Sequence, residues 1–138
     1  MRQGCILSPC LFNLYAEAAV KEALKGYNKG FQIQGRVIHN LQYADDVIVI
    51  TTSPDDLQEL INRVRASSEE VGQLINTDKT KVMECGNSGM NTKISLSGEV
   101  LEEIESFVYL GSIFISDGNC TQDIRKRPAM GRSAMQSL

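Results

Sequence analysis

The sequence predicts an α+β domain: a mainly antiparallel sheet with helices packed on one face. Three observations carry this. Two segments, residues 8–25 and 53–71, repeat apolar residues at helical spacing. Between and after them lie short runs rich in β-branched and aromatic residues. Neighbouring runs are joined by tight turns containing glycine or acids, which suits antiparallel pairing and leaves no room for crossovers. With 138 residues the chain is long enough for one ordinary domain and a modest core.

The elements follow in order. Ser8-Pro9 opens the first helix, since serine caps free amides and proline suits the first helical position. Leu11, Phe12, Tyr15, Ala18, Ala19 and Ala23 form one apolar stripe, and Gly26 ends it. Residues 30–38, with Gly30 and Gly35 among β-branched and aromatic neighbours, predict a short hairpin. Residues 41–50 predict two strands around a tight turn near Ala44-Asp45. The second arm, Val47 to Ile50, is apolar on both faces, as expected of a central strand covered on both sides. Ser53-Pro54-Asp55-Asp56 supplies cap, proline and two acids for a second helix. Leu57, Leu60, Ile61, Val64 and Val71 keep the helical period, and Gly72 closes it. A turn over residues 76–79 leads into a strand over 81–85, and residues 86–91 form a loop. "KISLSGEVLEEI" pivots on Ser97-Gly98 as a hairpin, and "SFVYLGSIF" is a strand pair or bent strand around Gly111. A last helix begins near Thr121, with Pro128 and Gly131 inside it.

Composition narrows the function. No run of about 18 apolar residues is present, so no membrane-spanning helix is expected. The start, "MRQGCILSPC", makes a poor signal peptide, and an intracellular protein, nuclear or cytoplasmic, is expected. Cys5, Cys10, Cys85 and Cys120 form no C-x-x-C pair and the only histidine is His39, so a structural zinc site is not expected. The cysteines are read as reduced thiols, mostly core fillers, and His39 as a structural or surface residue near a strand end. Net charge is −3, which counts against a general affinity for nucleic acid. Charge is segregated, however. Glu99, Glu102, Glu103 and Glu105 form an acidic cluster, and Arg125, Lys126, Arg127 and Arg132 a basic tail. Both suit a solvated face, and the tail leaves open a non-catalytic nucleic-acid-binding role.

The stretch "QYADDVIVI" carries the chemistry. It sets Asp45 and Asp46 side by side before an unbroken apolar run. At roughly 4 Å and an effective dielectric near 20, two carboxylates repel by about 4 kcal/mol, against a folding stability of only about 5–15 kcal/mol. The pair persists if both acids point into water or if a cation neutralises them. Strand alternation sends them to opposite sides unless the turn twists them together. One acid then holds metal directly while the other orients or charges the site. Mg²⁺ suits this arrangement, since it binds one or two carboxylates and takes its other ligands from water and substrate phosphates; Mn²⁺ is the alternative. Two such ions about 3.5–4 Å apart can activate an attacking oxygen and stabilise a leaving one. The competing reading is an exposed Asp-Asp turn without function. A phosphoacceptor pocket fits poorly, because there the apolar strand precedes the acids.

Four blocks in order resemble the reverse transcriptases, and among them the non-LTR retrotransposon (LINE-like) branch: "RQGCILSPCLFNLY", "YADD" between apolar strands, "GQLINTDKTKVM" and "FVYLGSIFISDG". The resemblance covers nearly the whole chain and implies a partial polymerase palm over residues 1–118, with residues 119–138 starting a thumb or connection. It implies RNA-directed DNA polymerisation with Mg²⁺, an RNA template, a DNA primer and deoxynucleotides. Asp45 resembles the metal-ligating acid and Asp46 its neighbour in the active-site turn. Tyr43 and Ala44 would lie beside the primer terminus, and Gln3 and Gly4 would border nucleotide and template. Lys79 resembles the lysine that assists departure of pyrophosphate, and Tyr109, Leu110 and Gly111 would support the primer.

The departures set a further expectation. In the family another aspartate block lies upstream of the Gln-Gly turn, and Met1 falls inside that turn's block. Cys10 stands where the family more often has leucine. Without the upstream acid, these residues alone are expected to show little or no polymerase activity. An inert gene remnant is the other non-catalytic alternative.

Overall fold

The computed structural model of the chain describes residues 8–44, 46–86, 93–119, 121 and 124, and for residues 8–10 the backbone only. Helix α1 spans Ser8–Leu24 and α2 spans Pro54–Glu70. Ten short strands accompany them: β1 Phe31–Ile33, β2 Arg36–Ile38, β3 Asn40–Tyr43, β4 Asp46–Val49, β5 Lys81–Val82, β6 Ser95–Leu96, β7 Glu99–Val100, β8 Glu102–Glu103, β9 Ser106–Tyr109 and β10 Ser112–Ile115. This is the α+β class the sequence predicts.

Every ladder among the described residues is two-stranded. Four are antiparallel hairpins, β1–β2, β3–β4, β6–β7 and β9–β10. One pair, β5–β8, is parallel and joins Lys81 to Glu102 and Val82 to Glu103. The predicted strand over residues 81–85 therefore shrinks to Lys81–Val82. A two-residue strand cannot advertise its partner by periodicity, so this long-range pairing was not legible.

The chain divides into two compact units, one of residues 1–79 and 93–100, the other of residues 80–92 and 101–138. In the first unit α1 packs on α2, and α2 also touches β4 and β6. Ser53 caps α2: its hydroxyl accepts from the Asp56 amide at 3.2 Å, and Pro54 opens the helix. Gly26 (φ 69°) and Gly72 (φ 73°) end the two helices in the left-handed region, as expected. After α2 the Gln73 amide reaches back to the Ser68 carbonyl at 2.8 Å.

The face of α1 differs from the prediction. Leu11, Phe12, Tyr15 and Ala18 are exposed, and the buried residues are Ala16, Ala19, Val20 and Ala23. The small side chains let the helix backbones approach, so α1 turns its alanine stripe inward in preference to its large residues. Leu60 and Ile61 of α2 are buried as predicted, and Leu60, Ile94 and Leu96 are the large side chains most completely enclosed. Gln58 docks β6 on α2 with a reciprocal amide pair: its Nε2 donates to the Ser95 carbonyl and the Ser95 amide donates to its Oε1, each at 2.8 Å.

In the second unit Val82 and Leu101 are buried. The Ile104 amide donates to the Val82 carbonyl at 2.8 Å, extending the β5–β8 contact. Phe107 and Phe114 stack across β9–β10 with ring centroids 5.1 Å apart and planes 14° apart. Glu102, Glu103 and Glu105 are exposed here, and Glu99 is exposed in the first unit, as expected of solvated acids. Cys85 is exposed too, which corrects its reading as a core thiol. Cys5, Cys10 and Cys120 fall outside the described side chains, as do the loop over 87–92 and nearly all of the last predicted helix.

Leu60 is 0 % exposed, so Leu60→Ala should open a cavity and cost about 2–5 kcal/mol. Urea denaturation of the two proteins checks this, with a lower midpoint expected at an unchanged slope.

Candidate active-site hairpin

The predicted site stretch forms the β3–β4 hairpin. Its register pairs Asn40 with Val49, Leu41 with Ile48, Gln42 with Val47 and Tyr43 with Asp46. The strands therefore end at Tyr43 and resume at Asp46, and Ala44 lies in the turn between them, near where the sequence placed it. Cross-strand partners share a face, so Tyr43 and Asp46 lie together at the tip. Both are exposed. Ala44 sits at φ 54°, in the left-handed region that alanine rarely adopts. Asp45 lies outside the described residues.

The same left-handed start recurs in three other turns. Gln34-Gly35, Ser97-Gly98 and Leu110-Gly111 have φ pairs of 48° and 79°, 54° and 88°, and 50° and 81°. Two consecutive left-handed residues are the signature of the type I′ turn, whose twist matches that of the flanking strands. Those turns end in glycine, whereas the site turn carries Ala44 and then an acid. Gln34, Ser97 and Leu110 share the left-handed strain of Ala44, so the first residue of the site turn is set apart by its place in the sequence and not by its backbone.

The apolar arm β4 is not the doubly covered strand that its composition suggests. Among the described residues it pairs only with β3, and Val47 is 38 % exposed. Ile48 and Val49 are half-buried. Contact with α2 covers this arm in part, and a run of four apolar residues cannot say how many layers will cover it.

The other predicted site residues fall in two places. Lys79 is exposed, at the last position of the turn over residues 77–79 in the first unit, and its backbone amide donates to Asn76 Oδ1 at 3.0 Å. Asn76 was missed as a local support for Lys79, although an asparagine three residues before a turn residue is a recognisable signal. Leu110 and Gly111 form the turn of β9–β10 in the second unit, flanked by half-buried Tyr109. Leu110 is 57 % exposed, so packing does not account for it. Gln3 and Gly4 lie outside the described residues.

Asp46 offers a hard carboxylate oxygen at the surface, and no lysine or arginine pairs with it among the described residues. That donor chemistry fits a divalent cation of the magnesium type. Among the described residues no three histidine, cysteine or acidic side chains gather closely enough to hold a metal by themselves. No helix among them is long and apolar enough to cross a membrane.

The resolved electrostatics lie behind the hairpin, at the start of α2. Lys29 Nζ bonds Asp56 Oδ1 at 2.8 Å and Glu59 Oε2 at 3.1 Å. Its hydrogen bond, joined by that of Ser53, holds the Asp56 carboxyl below the usual range, and Lys29 does the same for Glu59. The two carboxylates in turn raise the Lys29 ammonium. Burial first, then the charges of Asp56 and Glu59, raise the Tyr27 hydroxyl.

The chain is thus an α+β protein with an antiparallel hairpin, Tyr43 and Asp46 at its tip, between two helices. Comparison with known families assigns it further. The model described as "Reverse transcriptase (RNA-dependent DNA polymerase)" matches residues 1–114, and the chain belongs to that family. It is 28% identical over 99 residues to a transposon-derived protein of Caenorhabditis elegans, covering 70% of this chain and 36% of that protein. It is also 28% identical over 129 residues to the retrovirus-related Pol polyprotein from type-1 retrotransposable element R2 of Nasonia vitripennis, covering 86% of this chain and 12% of that polyprotein. The resemblance to the non-LTR branch is thereby borne out. The chain spans only about a third and an eighth of these relatives' lengths. Reverse transcriptases work with divalent metal ions.

Two measurements check the site. Ala44→Gly should relieve the left-handed strain and raise stability by about 0.5–1 kcal/mol in urea denaturation, because glycine carries no Cβ penalty at φ 54°. The Lys29 cluster should show in the acid limb of the melting curve. A depressed carboxyl contributes its stability above its unfolded value, near 4, and loses it as pH falls through the folded value. The raised Lys29 contributes below its ordinary value and loses it only in strong alkali. Lys29→Met should therefore flatten the fall of Tm with decreasing pH below about 4 and leave the neutral plateau nearly level. The change should be small, since all three groups face solvent.

Proposed function

We propose that this chain is the palm segment of a polymerase that copies RNA into DNA, with residues 1–118 forming the palm and residues 119–138 leading out of it. The carrying observation is the β3–β4 hairpin, whose two-residue turn presents Tyr43 and Asp46 together at an exposed tip. The family match over residues 1–114 supports the reading.

In the proposed reaction the 3′ oxygen of a DNA primer attacks the α-phosphorus of a deoxynucleotide paired with an RNA template. The 3′ hydroxyl gives its proton to solvent as the O3′–Pα bond forms, the bond from Pα to the bridging oxygen breaks, and pyrophosphate leaves with that electron pair. Asp45 and Asp46 hold negative charge where divalent cations are to bind. Magnesium, or manganese in its place, would supply charge neutralisation at the phosphate oxygens when bound. Tyr43 and Ala44 line the primer terminus, where a small side chain leaves room. Gln3 and Gly4 border the nucleotide and template. Lys79 donates a proton or a positive charge to the departing pyrophosphate, and its exposure leaves the ammonium free to meet a phosphate. Tyr109, Leu110 and Gly111 support the primer from the β9–β10 turn. The work takes place inside the cell, in nucleus or cytoplasm.

Polymerisation belongs to a longer polypeptide in this reading, since these residues correspond to 12% of the R2 polyprotein. In primer extension on a homopolymer template, the 138-residue chain should incorporate nothing above background. A chimera with these residues in place of the matching stretch of the R2 polyprotein should incorporate, and Asp45→Asn should lower its rate by about 10³ or more. Strong incorporation by the chain alone would overturn its dependence on that longer polypeptide. An active chimera indifferent to Asp45→Asn would overturn the role of the acid pair.

A further inference from the structure

His39 sits in a socket built by Tyr27, Lys29 and Gly30. Tyr27 is 3 % exposed, and its ring meets the imidazole edge-on with centroids 5.7 Å apart and planes at 69°. His39 Nδ1 lies 3.1 Å from the Lys29 carbonyl oxygen. A carbonyl can only accept, so Nδ1 carries the proton in this contact. Gly30 forms the remaining wall. A Cβ there would stand 2.7 Å from His39 Nδ1, 2.8 Å from the Ile38 carbonyl oxygen and 2.9 Å from Val37 Cγ1. Gly30 is therefore required for close approach, and its backbone angle imposes no such need.

Contacts lead from this socket in two directions. Toward the site, His39 links β2 to β3, and its carbonyl accepts the Ile50 amide at 2.7 Å, closing the base of the β3–β4 hairpin. Toward the helix, the Tyr27 hydroxyl donates to the Asp56 carbonyl at 3.0 Å. Lys29 bridges Asp56 and Glu59, and the Arg63 guanidinium lies 5.4 Å from the Tyr27 ring centroid. A continuous set of contacts thus runs from the first turns of α2 to the foot of the acid-tipped hairpin, all within one unit. Beyond Ile50 and His39 the hairpin is a two-stranded ladder that touches α2 through β4 and ends in exposed residues at its tip, so its base and that one contact set its direction.

We propose that the His39 socket is the positioning device of this hairpin: Tyr27, Gly30 and His39 fix the angle at which β3–β4 leaves α2, and so where the tip at Ala44 is held. They are positioning residues, and none of them touches a reacting group. The consequence for catalysis rests on the polymerase reading, whereas the geometric coupling stands without it.

Amide hydrogen exchange on the 138-residue chain tests the coupling. His39→Ala should speed exchange of the β3 and β4 amides, and of Ile50, by about tenfold, the scale of one lost ring contact and one lost hydrogen bond. Amides of α2 and of β6–β7, held by the buried core and the Gln58–Ser95 pair, should keep their rates. His39→Asn keeps an amide donor in the place of Nδ1 and should restore most of the hairpin protection. Gly30→Ala should reproduce the His39→Ala pattern by pushing the ring out. Unchanged hairpin exchange in His39→Ala and Gly30→Ala would overturn the proposal. So would an equal rise through hairpin, α2 and β6–β7, which marks an ordinary core residue. If His39→Ala abolishes the cooperative melt, His39→Asn decides: retained melt with retained hairpin protection supports the socket, and uniform loss overturns it. Because exchange reads no nucleotide chemistry, failure of the polymerase reading would leave this result standing, and the reverse holds too.

Discussion

The first unit depends on how closely α1 can approach α2. Ala16, Ala19 and Ala23 are buried on α1, Leu60 and Ile61 are buried on α2, and the two helices pack on each other. A larger side chain at those alanines would drive the helices apart, since packed interiors have little room to spare. Everything nearer the site is hung from α2. Ser53 and Pro54 fix where the helix begins, Gln58 clasps β6, and Asp56 and Glu59 hold Lys29. Tyr27, at the exit of α1, then reaches both α2 and the foot of the hairpin.

This arrangement joins a rigid base to a strained tip. The base is apolar and well enclosed; the tip holds a left-handed alanine and exposed Tyr43 and Asp46. Strain of this kind costs about 1–3 kcal/mol and persists only where the surroundings over-determine the backbone. The β3–β4 ladder and the closure from Ile50 to His39 supply that determination. The other hairpins turn on a left-handed residue followed by glycine and carry no acid at the turn.

In the proposed reading of the chain as part of a reverse transcriptase, these features share a purpose. A polymerase palm must hold carboxylates at a fixed place while leaving them open to cations and phosphates. An exposed acid on a short hairpin, anchored at its other end, meets both demands. The exposure of Val47 and of the large residues of α1 shows how much apolar surface these elements carry beyond what the described chain covers.

Local signals in the sequence determined a good deal by themselves. Ser53-Pro54, Gly26 and Gly72 marked helix ends because capping and left-handed termination need only neighbouring residues. Gly35, Gly98 and Gly111 marked hairpins for the same reason, and the quoted blocks around "YADD" pointed to the family before any coordinate. The turn of the candidate site was legible to the neighbourhood of Ala44, between strands that end at Tyr43 and resume at Asp46. Tertiary structure alone decided which face of α1 is buried, because helical period cannot distinguish a stripe of large residues from one that lets two backbones meet. It alone paired Lys81–Val82 with Glu102–Glu103 in parallel, since two-residue strands carry no usable pattern. And it alone seated His39 between Tyr27, Lys29 and Gly30: these contacts depend on how the chain returns from α1 across β1 and β2, a distance in space that residue spacing does not encode.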